Sequence, residues 1–502
     1  MMWDAFVEGV GLALRWDTFA IMSVGLLLGM FVGALPGFTT LMAMAILLPL
    51  SFFMDPLIGI PFLLGVYKGG IYGGSIPAIL VSMPGTGAAV ATTFDGPALT
   101  KKRKARKALE IALYASVFGD LSSDIVTIMF IGPIALVALL IGPPELAAVL
   151  MLALIVIAAT STGVFVKGLL MMVAGFLFSL IGQDPIGALS RFTFDIFAVR
   201  AGVPLLPMLI GVYALPEILA GIEDKAAAVI RQRISAREGG RLTYQEFRSC
   251  FRTICRSTVI GTVIGVIPGV GQVVAAFMGY AAAKSASKHP EKFGTGELEG
   301  VAAAEAANNA VNGPTMVPLL TLGVPGDNIT VILIGAFIAQ GLRPGPQLMV
   351  EQGPLVYAIL VAMVGANILF LVLGYFASPL FAKVVTIRRS ILLPLTVVFA
   401  FAGCYVPRSD PLDLMILVFF GAFGYVAKKL RFDVTPMAMA FILAPTIEYS
   451  FGQTLILSQG NLLNYIFVER PITAGIALAA PFLTYVMWRR SMRIRREFAI
   501  GG

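Results

Sequence analysis

The pattern Gly-x-x-x-Gly-x-x-Pro-Gly occurs twice in this chain, at Gly29, Gly33, Pro36 and Gly37 and again at Gly261, Gly265, Pro268 and Gly269, each time inside an apolar stretch of membrane-spanning length. Pro removes a backbone donor and Gly frees the chain from helical geometry, so each stretch reads as a helix broken at bilayer depth. An unpaired N–H or C=O in hydrocarbon is costly, and irregular backbone persists there only where protein, water or solute satisfies it. Two such breaks in matching positions point to a transporter's binding site.

The surroundings fit that reading. Of the 502 residues, 58% are hydrophobic and 13% charged, with a mean hydropathy of +0.90, more apolar surface than a soluble core absorbs. Windows of about 20 apolar residues, each enough to cross the ~30 Å hydrocarbon layer, recur along the chain. It therefore reads as an all-α polytopic protein of the lipid bilayer. The 53 Gly and 30 Pro fall largely within the apolar runs, as close-packed or discontinuous membrane helices require. The net charge of +8 comes from short Lys and Arg clusters flanking the spans, which is the positive-inside bias and not a nucleic-acid surface. A single histidine, His289, and three scattered cysteines, Cys250, Cys255 and Cys404, supply neither a metal site nor a disulfide framework. No cofactor is expected.

Matched motifs recur at steady separations: Gly29 and Gly261, like Pro36 and Pro268, stand 232 positions apart, and Pro77 and Pro318, like Pro84 and Pro325, stand 241 apart. The chain thus divides into an N-terminal interfacial segment (1–17), a first transmembrane repeat (18–220), a basic cytoplasmic loop (221–256), a second repeat (257–448), and an extra span with a basic tail (449–502). With the basic segments 101–107, 225–256, 383–389, 428–431 and 489–496 in the cytoplasm, an even number of spans separates 107 from 225, 389 from 428 and 431 from 489, as the rule demands. The halves then enter from opposite faces, as two inverted-topology repeats with the N-terminus outside and the C-terminus in the cytoplasm. Lys284, Lys288 and Lys292 run against this scheme, which leaves them outside. Two stretches dense in Gly and Pro, 65–97 and 302–346, read as paired hairpins that re-enter the membrane, with tips at Pro84-Gly85 and Pro325-Gly326; full crossings would keep the same parity.

An anion in the membrane is held well by helix N-termini, whose free N–H groups and dipole favour negative charge. The hairpin tips offer Pro84, Gly85, Thr86 and Gly87 in one half and Pro325, Gly326, Asp327 and Asn328 in the other; the broken helices add Thr39 and Gln272. Against that stands plain packing, since Gly and Thr often line helix contacts without binding anything. Lys68, a lone cation in a glycine-rich run that continues to Ser75, reads either as a contact for a substrate carboxylate or as a side chain snorkelling to an interface. Half two answers with Glu305, Asn308, Asn309 and Asn312, which fall on one face if the segment is helical. That stripe suits a coupling cation or solute, or serves as interhelical glue; Glu305, Asn308 and Asp327 are the cation-coupling candidates. Asp120 and Asp124 share a helix face and read as partners for a basic residue of another helix, with a proton relay as the alternative.

The run Tyr72-Gly73-Gly74-Ser75-Ile76-Pro77 leading into Met83-Pro84-Gly85-Thr86-Gly87 and Thr92-Thr93-Phe94-Asp95-Gly96, with the stretches 308–313 and 323–327, resembles the large membrane subunit of the tripartite tricarboxylate transporter family over nearly the whole chain. The resemblance implies import of citrate-like di- or tricarboxylates across the bacterial inner membrane, driven by a Na+ or H+ gradient. It also implies a periplasmic substrate-binding protein that delivers the substrate and a small four-helix membrane subunit. Segregation of Gly and Pro into 22–97 and 259–346 motivates an elevator-like alternating access. The runner-up is a stand-alone secondary transporter of carboxylates or other solutes. A channel is disfavoured because no pore-lining polar pattern repeats along several helices, and an enzyme because no nucleophile–base pair occurs in the spans.

Overall fold

The computed structural model describes residues 2–35, 37–161, 164–184, 186–187, 189–223, 239–384 and 389–500. Pro36 of the first break, 224–238 of the basic loop and 385–388 of the third basic segment lie outside the described residues. In chain order the helices are α1 (Met2–Ala13), α2 (Trp16–Gly33), α3 (Thr40–Ser51), α4 (Pro56–Val81), α5 (Ala89–Thr92), α6 (Gly96–Lys101), α7 (Ala105–Ala138), α8 (Pro143–Ser161), α9 (Phe165–Ser179), α10 (Leu205–Tyr213) and α11 (Leu215–Glu223). After the basic loop follow α12 (Tyr244–Gly265), α13 (Gly271–Ala286), α14 (Leu298–Asn309), α15 (Met316–Leu322), α16 (Asn328–Ala339), α17 (Leu348–Glu351), α18 (Gly353–Val384), α19 (Arg389–Tyr405), α20 (Pro411–Lys429), α21 (Thr435–Leu457), α22 (Leu462–Asn464) and α23 (Pro471–Ile500). The only strands among the described residues are a short antiparallel pair, Gly182–Gln183 with Ser190–Arg191.

Six of these helices, and α10 with α11 taken as one span (Leu205–Glu223), are long and apolar enough to cross a membrane, and a bent pair, Leu462–Glu469 with Pro471–Phe482 at 100°, makes an eighth candidate. The chain is thus a polytopic helical membrane protein. The second element of the bent pair coincides with the extra C-terminal span expected from the sequence. The N-terminal helix α1, read as interfacial, packs on α18: Phe6 meets Tyr357 edge-on at 5.6 Å, and a Cβ at Gly9 would lie 2.7 Å from the Pro354 carbonyl oxygen.

Both Pro-Gly motifs interrupt their helices. One break separates α2 from α3 and the other α12 from α13, with Gly37 at φ 84° and Gly269 at φ 78°, a conformation that favours glycine. The direction of the chain after each break differs from a simple kinked crossing. A Cβ added at Gly25, Gly29 or Gly33 would collide at 2.2–2.4 Å with the carbonyl oxygens of Phe62, Val66 and Gly70, and one at Gly65, Gly69 or Gly73 at 2.2–2.6 Å with those of Met22, Leu26 and Met30. These contacts advance together, so α2 and α4 run in the same direction with their backbones touching, a membrane packing that only small residues allow. Between them α3 must double back, and it does: Thr40 packs on Gly70 and Ser51 on Gly59. Half two repeats the arrangement. Gly261 and Gly265 press on the Ala307 and Val311 carbonyls of the segment that begins with α14, while α13 returns alongside, with Gln272 level with Asn312 and Gly279 with Ala303.

Three expectations are corrected by this geometry. The first arm of the first hairpin is not a short run but the 26-residue α4, started by Asp55, which accepts from the Leu57 N–H, and continuous through Pro61 and Pro77. The helical face expected to carry Asn312 ends earlier, because α14 stops at Asn309 and residues 310–315 tighten into turns ahead of Pro314, which lacks a donor and disfavours helix at the residue before it. Finally, because α13 doubles back, the segment bearing Lys284, Lys288 and Lys292 returns beside the basic start of α12, where the Arg256 guanidinium donates to the Ala282 carbonyl at 3.4 Å. The mismatch in charge placement disappears.

Candidate functional site

A cavity of about 250 Å³ lies where the two breaks and the two hairpin tips meet, lined by Thr39–Leu41, Thr86–Ala88, Glu217, Gly269–Val273 and Asp327–Ile329. Its size suits a small solute. Besides the four-residue α5, whose Ala89 N–H donates to the Thr86 hydroxyl at 3.2 Å, three helices start at its wall. The Thr39 hydroxyl caps α3 by accepting from the Met42 N–H at 3.2 Å. Asp327 caps α16 in a reciprocal box: its Oδ1 accepts from the Ile329 and Thr330 amides at 3.1 and 2.8 Å, and its own N–H donates to Thr330 Oγ1 at 2.9 Å. The third helix, α13, carries no side-chain cap; its first residues Gly271, Gln272 and Val273 line the cavity, and among the described residues no acceptor holds their N–H groups. Backbone contacts hold the ends: Gly269 N–H donates to Gly326 O at 2.9 Å, and Gly85 N–H to Gly74 O at 3.0 Å. A Cβ at Gly326 would strike Thr315 at 2.8 Å and one at Gly85 the Gly33 oxygen at 2.3 Å, so both tips are wedged against their neighbours.

Of the residues singled out from the sequence, Thr39, Thr86, Gly87, Gln272, Asp327 and Asn328 line this cavity, while Pro84, Gly85, Pro325 and Gly326 form the tips behind it. Behind the wall runs a buried polar chain. The Tyr67 hydroxyl donates to Asp327 Oδ2 at 2.5 Å, and Gln272 Nε2 donates to the Tyr67 oxygen at 2.7 Å and to Asn312 Oδ1 at 3.0 Å. It joins α4 of one half to the break and the tip of the other. Sequence reasoning missed Tyr67, which is fully buried; its only signal was a hydroxyl beside Lys68 in a glycine-rich run that also holds Tyr72 and Ser75. Glu217 was also missed. It is half-buried near the start of α11 and ion-paired with Lys428 at 2.6 Å.

Lys68 is elsewhere. Neither snorkelling nor facing the cavity, it is fully buried with its ammonium 2.7 Å from both Asp120 Oδ1 and Asp124 Oδ2, because two acids one helical turn apart on α7 face it from the next helix. Asn367 Nδ2 of α18 donates to Asp124 Oδ2 at 2.7 Å, a partner the sequence did not reveal. A second buried group surrounds Glu305: the Ser75 hydroxyl donates to its Oε1 at 2.6 Å, the Thr92 hydroxyl does likewise, and Ser116 reaches Oε2 at 3.3 Å. Asn309 Nδ2 donates to Ser116 Oγ at 2.8 Å, and both amide atoms of the buried Asn308 are unpaired. Nearby Asp95 Oδ1 accepts from the amides of Gly294, Gly296 and Glu297 at 2.8–2.9 Å, and its Oδ2 from the Tyr280 hydroxyl at 2.9 Å, clamping the halves together. Among the described residues no three His, Cys, Asp or Glu side chains gather as a metal site.

Two proteins of Agrobacterium vitis are similar to this chain. One, named "Uncharacterized 52.8 kDa protein in TAR-I ttuC' 3'region", is 34% identical over 474 residues, 94% of this chain and 94% of its own length. The other, "Uncharacterized protein in TAR-II ttuC' 3'region", is 36% identical over 226 residues, 44% of this chain and 93% of its own length. No solved structure matches the chain. The family described as "Tripartite tricarboxylate transporter TctA family" matches residues 19–439, nearly the whole chain. This protein therefore belongs to the tripartite tricarboxylate transporter TctA family, the large membrane subunit of such transporters.

Proposed function

We propose that the chain imports a di- or tricarboxylate across the bacterial inner membrane by alternating access, drawing on a Na+ or H+ gradient. A periplasmic binding protein hands over the substrate, and a small four-helix membrane subunit completes the complex. The observation that carries this reading is the cavity built from both breaks and both tips. The uncapped start of α13 offers its N–H groups to one carboxylate, with the Thr86 hydroxyl and the Asn328 amide around it, while the Gln272 amide, already donating to Tyr67 and Asn312, holds the wall. Asp327 is already held by two amides and the Tyr67 hydroxyl, so its role is to shape the site and to take part in ion coupling, together with Glu305 and Asn308.

Inverted repeats with re-entrant segments are part of the proposal. Their support is directional. α7 and α18 run antiparallel, Leu113 meeting Gly374, Asp124 Asn367, and Gly132 Tyr357. α4 opposes α14 in the same sense, with Ser75 at Glu305 and Tyr67 joined through Gln272 to Asn312. The basic segment at 101–107 and the basic start of α12 meet through Lys107 and Glu246 at 2.5 Å, which favours a single cytoplasmic face, with the N-terminus outside and the C-terminus inside.

Uptake of labelled citrate into proteoliposomes, with and without a partner binding protein, tests the function. Ion-gradient-dependent uptake that needs the binding protein is expected; full-rate uptake by this chain alone would favour the stand-alone transporter instead. Thr86→Val and Asp327→Ala should each impair uptake with expression intact, and normal transport by both would remove the cavity from the mechanism.

A further inference from the structure

The cluster around Lys68 is short of one positive charge. One ammonium faces two carboxylates, all three groups are almost completely buried, and no second Lys or Arg among the described residues pairs with either acid. A buried charge without compensation is expensive. The same place is also short of partners. Among the described residues Asp124 Oδ1, Thr127 Oγ1 and Asn367 Oδ1 are buried oxygens without a hydrogen bond, and Asp120 has only the side-chain amide of Asn312 beside its second oxygen. Thr127 follows Asp124 by three residues, on the same face of α7, and Asn367 is fixed on Asp124 by its own amide nitrogen. Gly313 packs directly against Asp124, where an added Cβ would lie 2.6 Å from Asp124 Oδ1.

We propose that these four oxygens, from Asp120, Asp124, Thr127 and Asn367, hold one monovalent metal cation of the sodium class. A single positive charge balances the cluster. A proton would balance it too but would engage only one carboxylate oxygen, whereas an oxygen-coordinated cation engages several unpaired ones at once, and carboxylate, hydroxyl and amide oxygens are the hard ligands such a cation takes. The site is linked to the cavity through two short routes: Lys68 follows Tyr67, which holds Asp327, and Gly313 follows Asn312, which accepts from Gln272. Its role in driving transport rests on the ion-coupled import proposed above; its binding does not.

The test therefore uses thermal unfolding of the full purified chain in detergent, without any carboxylate, in NaCl against choline chloride at constant ionic strength. The melting temperature should rise with sodium by on the order of 1 °C per tenfold concentration once the site fills. Asp124→Asn makes the cluster neutral and should abolish the sodium response without lowering stability in choline. Thr127→Val keeps the ion pair and should shift the sodium midpoint upward several-fold, which decides the matter if Asp124→Asn does not fold. A wild-type melting temperature indifferent to sodium, or variants that respond as wild type does, overturns the site. Carboxylate uptake without a sodium response would remove this site and leave the transport reading; a sodium response without uptake would do the reverse.

Discussion

At the scale of single residues, the most consequential contact is the Tyr67 hydroxyl on Asp327, because it ties the glycine-packed α4 to the tip of the opposite half. A hydrogen bond to a charged group is worth about 1.5–3 kcal/mol, and 1.4 kcal/mol is a factor of about ten. Tyr67→Phe should therefore lower the initial uptake rate about tenfold or more at normal expression, read by transport into proteoliposomes. Lys68→Met makes a different prediction. Removing the one ammonium leaves two buried carboxylates facing each other, a loss of about 3–5 kcal/mol, so the protein should fail to elute as a folded species on size exclusion in detergent; a snorkelling lysine would have been replaceable. The sequence marked Lys68, Asp120 and Asp124 separately as costly intramembrane charges, and pairing was already the safer reading for the two acids. What it lacked was the register that aligns residue 68 with residues 120–124, since spacing on one helix says nothing about which turn of another it meets. Tyr67 and Asn367 were silent for the same reason.

At the scale of elements, the breaks at 33–40 and 265–271 were legible because Pro-Gly within an apolar run has a direct backbone consequence, and Gly37 and Gly269 adopt the left-handed region it demands. The reversal after each break was not legible. It is set by which helix the glycine rows pack against, and Gly25, Gly29, Gly33 with Gly65, Gly69, Gly73 form two facing rows whose pairing is a tertiary fact. Those rows give an element-scale prediction. At Gly69 a Cβ would sit 2.2 Å from the Leu26 carbonyl oxygen, which is backbone and cannot swing aside. Gly69→Ala should thus force α2 and α4 apart at a cost of about 1–3 kcal/mol, visible as a lowered melting temperature in detergent. Gly11, where an added Cβ would meet nothing within 4 Å, is the control: it lies within α1, and Gly11→Ala should leave stability unchanged or raise it by up to about 1 kcal/mol through helix propensity.

At the scale of the whole molecule, segments from the first and the second half of the chain line one cavity. The cavity wall mixes two kinds of element. Gly87 belongs to a hairpin tip from the Gly- and Pro-rich segments proposed to move, whereas Glu217 belongs to α11, outside them, and is anchored to Lys428 at 2.6 Å. An elevator-like cycle has to change the distance between these two positions, because the tips travel with the substrate while α11 stays with the uniform spans. With Cys250, Cys255 and Cys404 first replaced by serine, a thiol-reactive linker joining Gly87→Cys to Glu217→Cys should arrest uptake, and cleaving the linker should restore it. If complete cross-linking left the uptake rate untouched, the tips and α11 would have to move as one body, and access to the cavity would need a local gate instead of a sliding domain.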